Sequence, residues 1–332
     1  FPYIGGESER SGVYVLNFFK CQPALNYGFL DPKEPWQLPT DHPDCTATRE
    51  AMKDVMRFWL DRGCDGFRVD MAASLVKNDD EEKTGTCAIW RDVREMLDSD
   101  YPEAAMVSEW GNPRLALKAG FHMDFFLNGR GNGYSTLMRD YESQEDHSFF
   151  KKDSHGDITR FLDDYLPKYE ASKEDGYFCL LTCNHDTLRP RYNLDETELK
   201  LAFAFIFTMP GVPYLYYGDE IGMHYLELAT KEGGYFRTGS RTPMQWNSGK
   251  NAGFSDADKD SLYLPVDEAS DAPTVENQES NPDSLLHTVK ALLALRHDQA
   301  DLQADAEFEP LYAKKGAMPF VYRRGALTIA VN

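Results

Sequence analysis

A parallel β-sheet covered by helices on both faces, in the manner of a (β/α)8 barrel, is the fold class this sequence predicts. Three observations lead there. Short β-rich runs alternate with stretches of helical periodicity along most of the chain. Three segments end an extended run on an acid: Gly66-Phe67-Arg68-Val69-Asp70, Val107-Ser108-Glu109-Trp110 and Asn184-His185-Asp186. Acids at the ends of separate strands, distant in sequence, are what a barrel needs to converge carboxylates on one pocket. Finally, a chain of 332 residues is long enough for one large domain or two ordinary ones.

The elements follow in order. Arg49 to Leu60 sets Met52, Val55, Met56, Trp59 and Leu60 on one helical face, and Gly63 is placed to stop that helix. A strand running to Asp70 comes next, then a helix around Cys87 to Leu97, a strand from Ala104 to Glu109, and a third strand from His122 to Leu127. Ile158 to Tyr169 is amphipathic, Tyr177 to Cys183 reads as a fourth strand, Glu196 to Met209 as a buried helix, and Val212 to Tyr217 as a fifth strand. Asn281-Pro282-Asp283 is expected to cap a last helix whose apolar stripe is Leu285, Val289, Leu292 and Leu293. Gly218 to Pro282 is far longer than an ordinary loop, and such excursions at the C-terminal end of barrel strands shape the pocket mouth.

Five strands do not close an eight-stranded barrel, and an open piece would leave hydrophobic edges unpaired. Residues 1–45 show no strand–helix pairs to supply the rest, and Phe320 to Asn332 reads as the opening strands of a small β domain. The expectation is a chain trimmed at both ends, or one that needs a complementary N-terminal barrel segment.

Composition narrows the partners. The balance of 35 basic to 55 acidic residues gives a net charge of −20 and repels nucleic acid and anionic membrane surfaces. No apolar run reaches the 18 or so residues that a membrane-spanning helix needs. Six cysteines show no CxxC spacing, so free and mostly buried thiols are expected, which leans the location toward the cytoplasm. The chain opens on Phe1-Pro2-Tyr3, without a segment from which a signal peptide can be judged.

The acidic segments carry a physical division of labour. Arg68 lies two residues before Asp70, so in a strand both side chains point to the same face. A fixed guanidinium beside a carboxylate keeps it ionised. Glu109, flanked by Trp110 and near other acids, is expected to be pushed toward its protonated form by desolvation and repulsion. Trp110, Tyr214, Tyr216, Tyr217 and Trp246 are candidates for stacking on the apolar faces of a ligand, and Trp110 leads because it follows Glu109 directly.

These segments, in this order, resemble the α-amylase superfamily of retaining α-glycoside hydrolases and transglycosylases (glycoside hydrolase family 13). Gln22-Pro23-Ala24-Leu25-Asn26 is similar to the family's QPDLN segment, with Ala24 where Asp is usual, and Gly211 to Glu220 looks like its eighth-strand segment. Ser240-Arg241-Thr242-Pro243-Met244-Gln245-Trp246, with Asn251-Ala252-Gly253-Phe254-Ser255, resembles the branch of oligo-1,6-glucosidases, α-glucosidases and trehalose synthases. The resemblance implies the part of the barrel from strand 4 to strand 8. Residues 1–45 would be a remnant of the domain inserted between strand 3 and helix 3, residues 46–300 the barrel, and residues 301–332 the start of a C-terminal all-β domain.

It also implies a site: Asp70 as nucleophile, Glu109 as acid/base and Asp186 as support for an oxocarbenium-like transition state, on α-glucosidic bonds of oligosaccharides. Arg68, His185, Trp110 and Arg189 make up the expected substrate-binding set. No organic cofactor is expected. Calcium is possible in the family but not assignable here, because the Asp and Asn-His signature that ends the third strand has no counterpart in this chain. Met71, after the expected nucleophile, stands where the branch has smaller residues that correlate with linkage, so α-1,4 against α-1,6 stays open. Two alternatives also stay open: a transglycosylase or isomerase with the same site, and a non-catalytic sugar-binding relative.

Overall fold

The computed structural model describes residues 3–5, 12–127, 132–140, 147–152, 156–231 and 237–332; the opening Phe1-Pro2 lies outside them. The chain divides into two compact units, Phe1–His122 and Met123–Asn332.

The first unit opens on two antiparallel strands, β1 (Tyr3–Gly5) and β2 (Val13–Val15), too short to show a period in sequence. Helix α1 (Pro43–Leu60) begins at Pro43 rather than Arg49, with proline in its first turn and His42 accepting from the Asp44 amide at 3.2 Å. Its predicted apolar face is buried only in part, at Leu60 and, against the same core, at Met56. Met52, Val55 and Trp59 are 36%, 47% and 49% exposed, whereas Cys45, Lys53 and Leu60 are buried. Lys53 tolerates burial because its ammonium reaches Asp92 at 2.6 Å and Glu50 at 3.2 Å while its methylenes stay inside.

The next elements place the site. Strand β3 (Gly66–Val69), helix α2 (Thr84–Asp100) and strand β4 (Ala105–Ser108) form a βαβ unit, with the strands parallel and Val69 opposite Ser108. Gly66 allows the approach: its φ is +152°, and a Cβ there would sit 2.0 Å from the Ala105 carbonyl oxygen. The ladder continues through the Glu109 amide, which donates to the Val69 carbonyl at 2.9 Å, so Asp70 and Glu109 leave neighbouring strands side by side. Helix α2 turns Trp90, Val93 and Leu97 into a core shared with Met106 and Phe121. The Trp90 indole donates to the Ala72 carbonyl at 2.9 Å and pins the turn that follows Asp70. Helix α3 (Pro113–Lys118) is capped by Asn112, which accepts from the Leu115 amide at 3.4 Å.

The second unit begins with β5 (Met123–Phe125), α4 (Ser135–Met138), α5 (Ile158–Ser172) and β6 (Tyr177–Cys179), with β5 and β6 parallel. Helix α6 (Glu196–Thr208) starts on a capping box in which Asp195 and Glu198 each accept from the other's amide. Buried rings hold these elements together: Phe126 stacks on Phe178 at 5.9 Å, and Phe161 meets Phe205 edge-on at 5.5 Å.

Three expectations are corrected here. Val212 to Tyr217 is extended but is not a strand. Val212 and Tyr214 donate to the Phe178 and Leu180 carbonyls at 2.8 Å, but the Tyr216 amide finds the Thr182 hydroxyl instead, and Pro213 has no N–H to give. The long stretch after Gly218 holds two short helices, α7 (Arg237–Ser240) and α8 (Val275–Ser280). Helix α9 (Leu285–Asp298) is capped by Ser284, not by the Asn281-Pro282-Asp283 segment, and its buried stripe is Leu285, Leu286 and Val289, with Leu293 exposed.

Strands β7 (Phe308–Lys314), β8 (Ala317–Arg324) and β9 (Leu327–Val331) form an antiparallel sheet. It is tied to the end of α6, where the Tyr322 and Thr208 hydroxyls hydrogen-bond and Arg324 donates to the Thr208 carbonyl. The six cysteines, all among the described residues, are free thiols: Cys45, Cys87, Cys179 and Cys183 are buried, Cys21 and Cys64 exposed. Among the described residues, no helix is long and apolar enough to cross a membrane.

Candidate active site

In the first unit, Arg68 organises the acids. One guanidinium nitrogen lies 2.5 Å from Asp70 Oδ1 and the other 2.7 Å from Glu109 Oε1. The strand alternation that puts Arg68 and Asp70 on one face accounts for the first contact, and the parallel register of β3 and β4 for the second. The Met71 amide donates to Glu109 Oε2 at 3.3 Å. Met71 itself is left-handed (φ 46°, ψ 40°), an uncommon state for a residue with a long side chain.

Burial, above all, raises the Glu109 carboxyl from its ordinary value, and hydrogen bonding and repulsion from Asp70 add to it; the Arg68 charge and the Met71 amide oppose the rise. The arginine therefore serves both acids, whereas the sequence reading pairs it with Asp70 alone. Trp110 packs edge-on to Phe121 at 6.4 Å and lies, partly buried, against the core of the first unit. Asp70 and Met71 line a cavity of about 310 Å³ with Leu25, Tyr27, Met52 and Lys77.

Asp186 belongs to the second unit. Its amide takes the Asn184 side-chain oxygen at 2.9 Å, an Asx-type turn that fixes the Asn-His-Asp segment. Its carboxylate is paired with two arginines: Arg237 Nη2 donates to Oδ2 at 3.1 Å, with Arg237 Nε in ionic contact 2.8 Å from Oδ1 but not hydrogen-bonded, and Arg241 Nη2 donates to Oδ1 at 2.9 Å. Arg241 Nε also donates to the His185 carbonyl at 2.9 Å, and the half-exposed His185 ring lies 3.5 Å from Asp186 Oδ1. Neither arginine is in the expected site set. The available signal is their spacing of four residues, which sets both on one side of a helical turn, in a segment that otherwise shows only a family motif.

Arg189, also of the expected binding set, lies in the second unit. It is fully buried, 2.9 Å from the equally buried Asp219, and donates to the Tyr217 and Ser240 carbonyls at 2.7 and 3.0 Å, with the Tyr216 and Tyr217 rings 5.0 and 4.9 Å away. A guanidinium so placed braces the surrounding backbone, and its Nε, which has no hydrogen-bond partner among the described residues, is buried. Of the other stacking candidates, Tyr214 packs edge-on against Phe125 at 4.8 Å, while Trp246 is exposed. Among the described residues no group of three or more His, Cys, Asp or Glu side chains is arranged to hold a metal ion, so no residue is assigned to calcium.

Comparison with known proteins identifies the family. The family described as "Alpha amylase, catalytic domain" matches residues 22–305. The chain is 28% identical to a salivary alpha-glucosidase of Aedes aegypti, covering 98% of this chain and 59% of that protein. It is 30% identical to a probable oligo-1,6-glucosidase 2 of Bacillus subtilis (strain 168), covering 89% and 58%. The chain thus spans less than two thirds of the length of these curated relatives. A trehalulose synthase MutB mutant in complex with Tris superposes with a TM-score of 0.73 at 18% identity, over 98% of this chain and 64% of that one. An alpha-amylase from H. orenii gives 0.66 at 21%, over 87% and 53%. The fold is part of a (β/α) barrel followed by an antiparallel C-terminal sheet.

Proposed function

The chain belongs to the α-amylase family, and on that footing we propose that it carries the catalytic acids of a retaining α-glycosidase acting on α-glucosidic bonds of short oligosaccharides. The observation that carries the reading is the Arg68 fork between Asp70 and a Glu109 whose carboxyl burial pushes toward the protonated form. Retention needs two carboxyl groups about 5–5.5 Å apart, one ionised and one protonated at rest. A shared guanidinium is a rigid means of holding two acids near each other.

Asp70 attacks the anomeric carbon; the bond to the leaving oxygen breaks, and the Glu109 proton passes to that oxygen. Glu109, now a carboxylate, takes a proton from water, whose oxygen bonds to the anomeric carbon as the Asp70 ester bond breaks. Asp186, oriented by Arg237 and Arg241, holds hydroxyls of the reacting sugar, and His185 donates to one of them.

The test is proton NMR of the whole protein with maltose, isomaltose, sucrose and maltotriose, with Glu109→Gln as control. α-Glucose released before mutarotation, and absent in the control, is the expected result. New glycosides without free glucose would move the reading to transfer or isomerisation, and unchanged spectra would remove it. The pH profile gives an independent expectation. The acid role is lost as pH rises through the Glu109 pKa, which lies above an ordinary glutamate's, so the basic limb of kcat/KM should also lie above the ordinary carboxylate range. A basic limb within that range would take the acid role from Glu109.

A further inference from the structure

The second unit holds a cavity of about 380 Å³ walled by Arg191 ahead of α6, His224, and the side-chain amides of Asn277, Gln278 and Asn281 around the end of α8. None of Asp70, Glu109, Asp186, Arg237 and Arg241 lines it.

The hydrogen bonds already made in the wall use up its acceptors and leave its donors. Gln278 Oε1 accepts from the Leu286 amide at 3.1 Å, and Asn281 Oδ1 from the Asp283 amide at 3.0 Å. A backbone N–H can only donate, so it fixes which end of each side-chain amide faces it, and the end left over is the NH2 group. The His224 ring is held by its Nδ1 contact with Asp267 Oδ2 at 2.7 Å. Arg191 is half-buried, and its stem is packed: a Cβ on Gly222 would lie 3.9 Å from its Cδ. One of its N–H groups donates to the Leu194 carbonyl at 3.0 Å, and it has no carboxylate partner among the described residues. Its charge is permanent and most of its N–H groups remain to be used.

Two acids share the wall without cancelling this excess. Glu196 lies 3.0 Å from Lys200, and Asp271 is exposed, where water screens its charge. A half-buried guanidinium without a counter-ion, beside NH2 groups whose oxygens are engaged, is a donor set for an oxyanion. The donors come from separate segments, which suits an anion with more than two oxygens and favours a phosphate group over a planar carboxylate.

We propose that this cavity binds a phosphate group, as the free ion or on a small phosphorylated molecule, through Arg191, Gln278 Nε2 and Asn281 Nδ2. Bound there, the anion ties the segment before α6 to the junction of α8 and α9. The site is separate from the acids, and its existence does not depend on the glycosidase reading.

The test is calorimetric titration of the whole protein with inorganic phosphate and with glucose 6-phosphate, in the parent, Arg191→Met and Gln278→Glu. The glutamate keeps an oxygen facing the Leu286 amide and puts a negative charge where the NH2 group stood. Thermal melting without ligand checks that each variant folds, and Gln278→Glu keeps the site testable should Arg191→Met not fold. Loss of the charged donor is expected to weaken phosphate binding about tenfold or more, and the Gln278→Glu charge to abolish it. Phosphate should raise the melting temperature of the parent and of neither variant. Inorganic phosphate binding as tightly as glucose 6-phosphate assigns the site to the free ion, and tighter binding of glucose 6-phosphate assigns it to a phosphorylated molecule. Absence of binding by both ligands, or equal binding by parent and variants, would overturn the site.

Discussion

Asp70→Asn and Glu109→Gln should each cut turnover of natural α-glucosides by the whole protein by about four orders of magnitude while leaving it folded. An amide in place of the Asp70 carboxylate keeps the shape and loses the nucleophile. Its side chain is 67% exposed at the strand end, and its ion pair with Arg68 is open to solvent, so little stability rests on it. Glu109→Gln removes the transferable proton. The two variants should also differ from each other in a way the mechanism dictates. With an activated leaving group such as a nitrophenolate, departure needs no proton, so Glu109→Gln regains the first step and accumulates glycosyl-enzyme, whereas Asp70→Asn regains nothing. Wild-type turnover in either variant, or equal rescue of both by the activated substrate, would overturn the assignment of roles.

The second large effect is on stability. Arg189→Ala leaves the Asp219 carboxylate buried without its cation, with neutral donors such as Thr182, at 2.6 Å, still on it. Removing one partner of a buried pair costs about 3–5 kcal/mol, which chemical denaturation would read as a clear fall in midpoint. The double variant Arg189→Met with Asp219→Asn should recover much of the loss, because it leaves no uncompensated charge. A substrate-binding Arg189 would give the reverse pattern, with stability kept and substrate affinity lost. That outcome would overturn the bracing role assigned here.

The acids were legible in sequence because their logic is local. In a strand, residues two apart share a face whatever surrounds them, so Arg68 and Asp70 were paired before any fold was known. The alternation of strand and helix was legible for the same reason, and the bounds of β3 and β4 fall close to those the pattern predicts. Arg237 and Arg241 show where locality ends. Their four-residue spacing sets them on one face, but only the folded chain brings that face to Asp186, more than fifty residues earlier.

Burial was the least legible quantity. The stripe of Met52, Val55 and Trp59 on α1 has the period of a core face and yet is exposed, while Lys53 lies inside. A hydrophobic period states which residues prefer to leave water and says nothing of what packs against them. Arg189 shows the same limit: an arginine after an Asn-His-Asp segment reads as a ligand, and nothing local tells of Asp219 and the two carbonyls around it. The sequence alone therefore determined the kind of chemistry, through residue types and periods set by near neighbours. The tertiary structure alone decided which charges meet, Arg68 with both acids, Arg237 and Arg241 with Asp186, and Arg189 with Asp219, because those pairings depend on contacts between segments that no local period encodes.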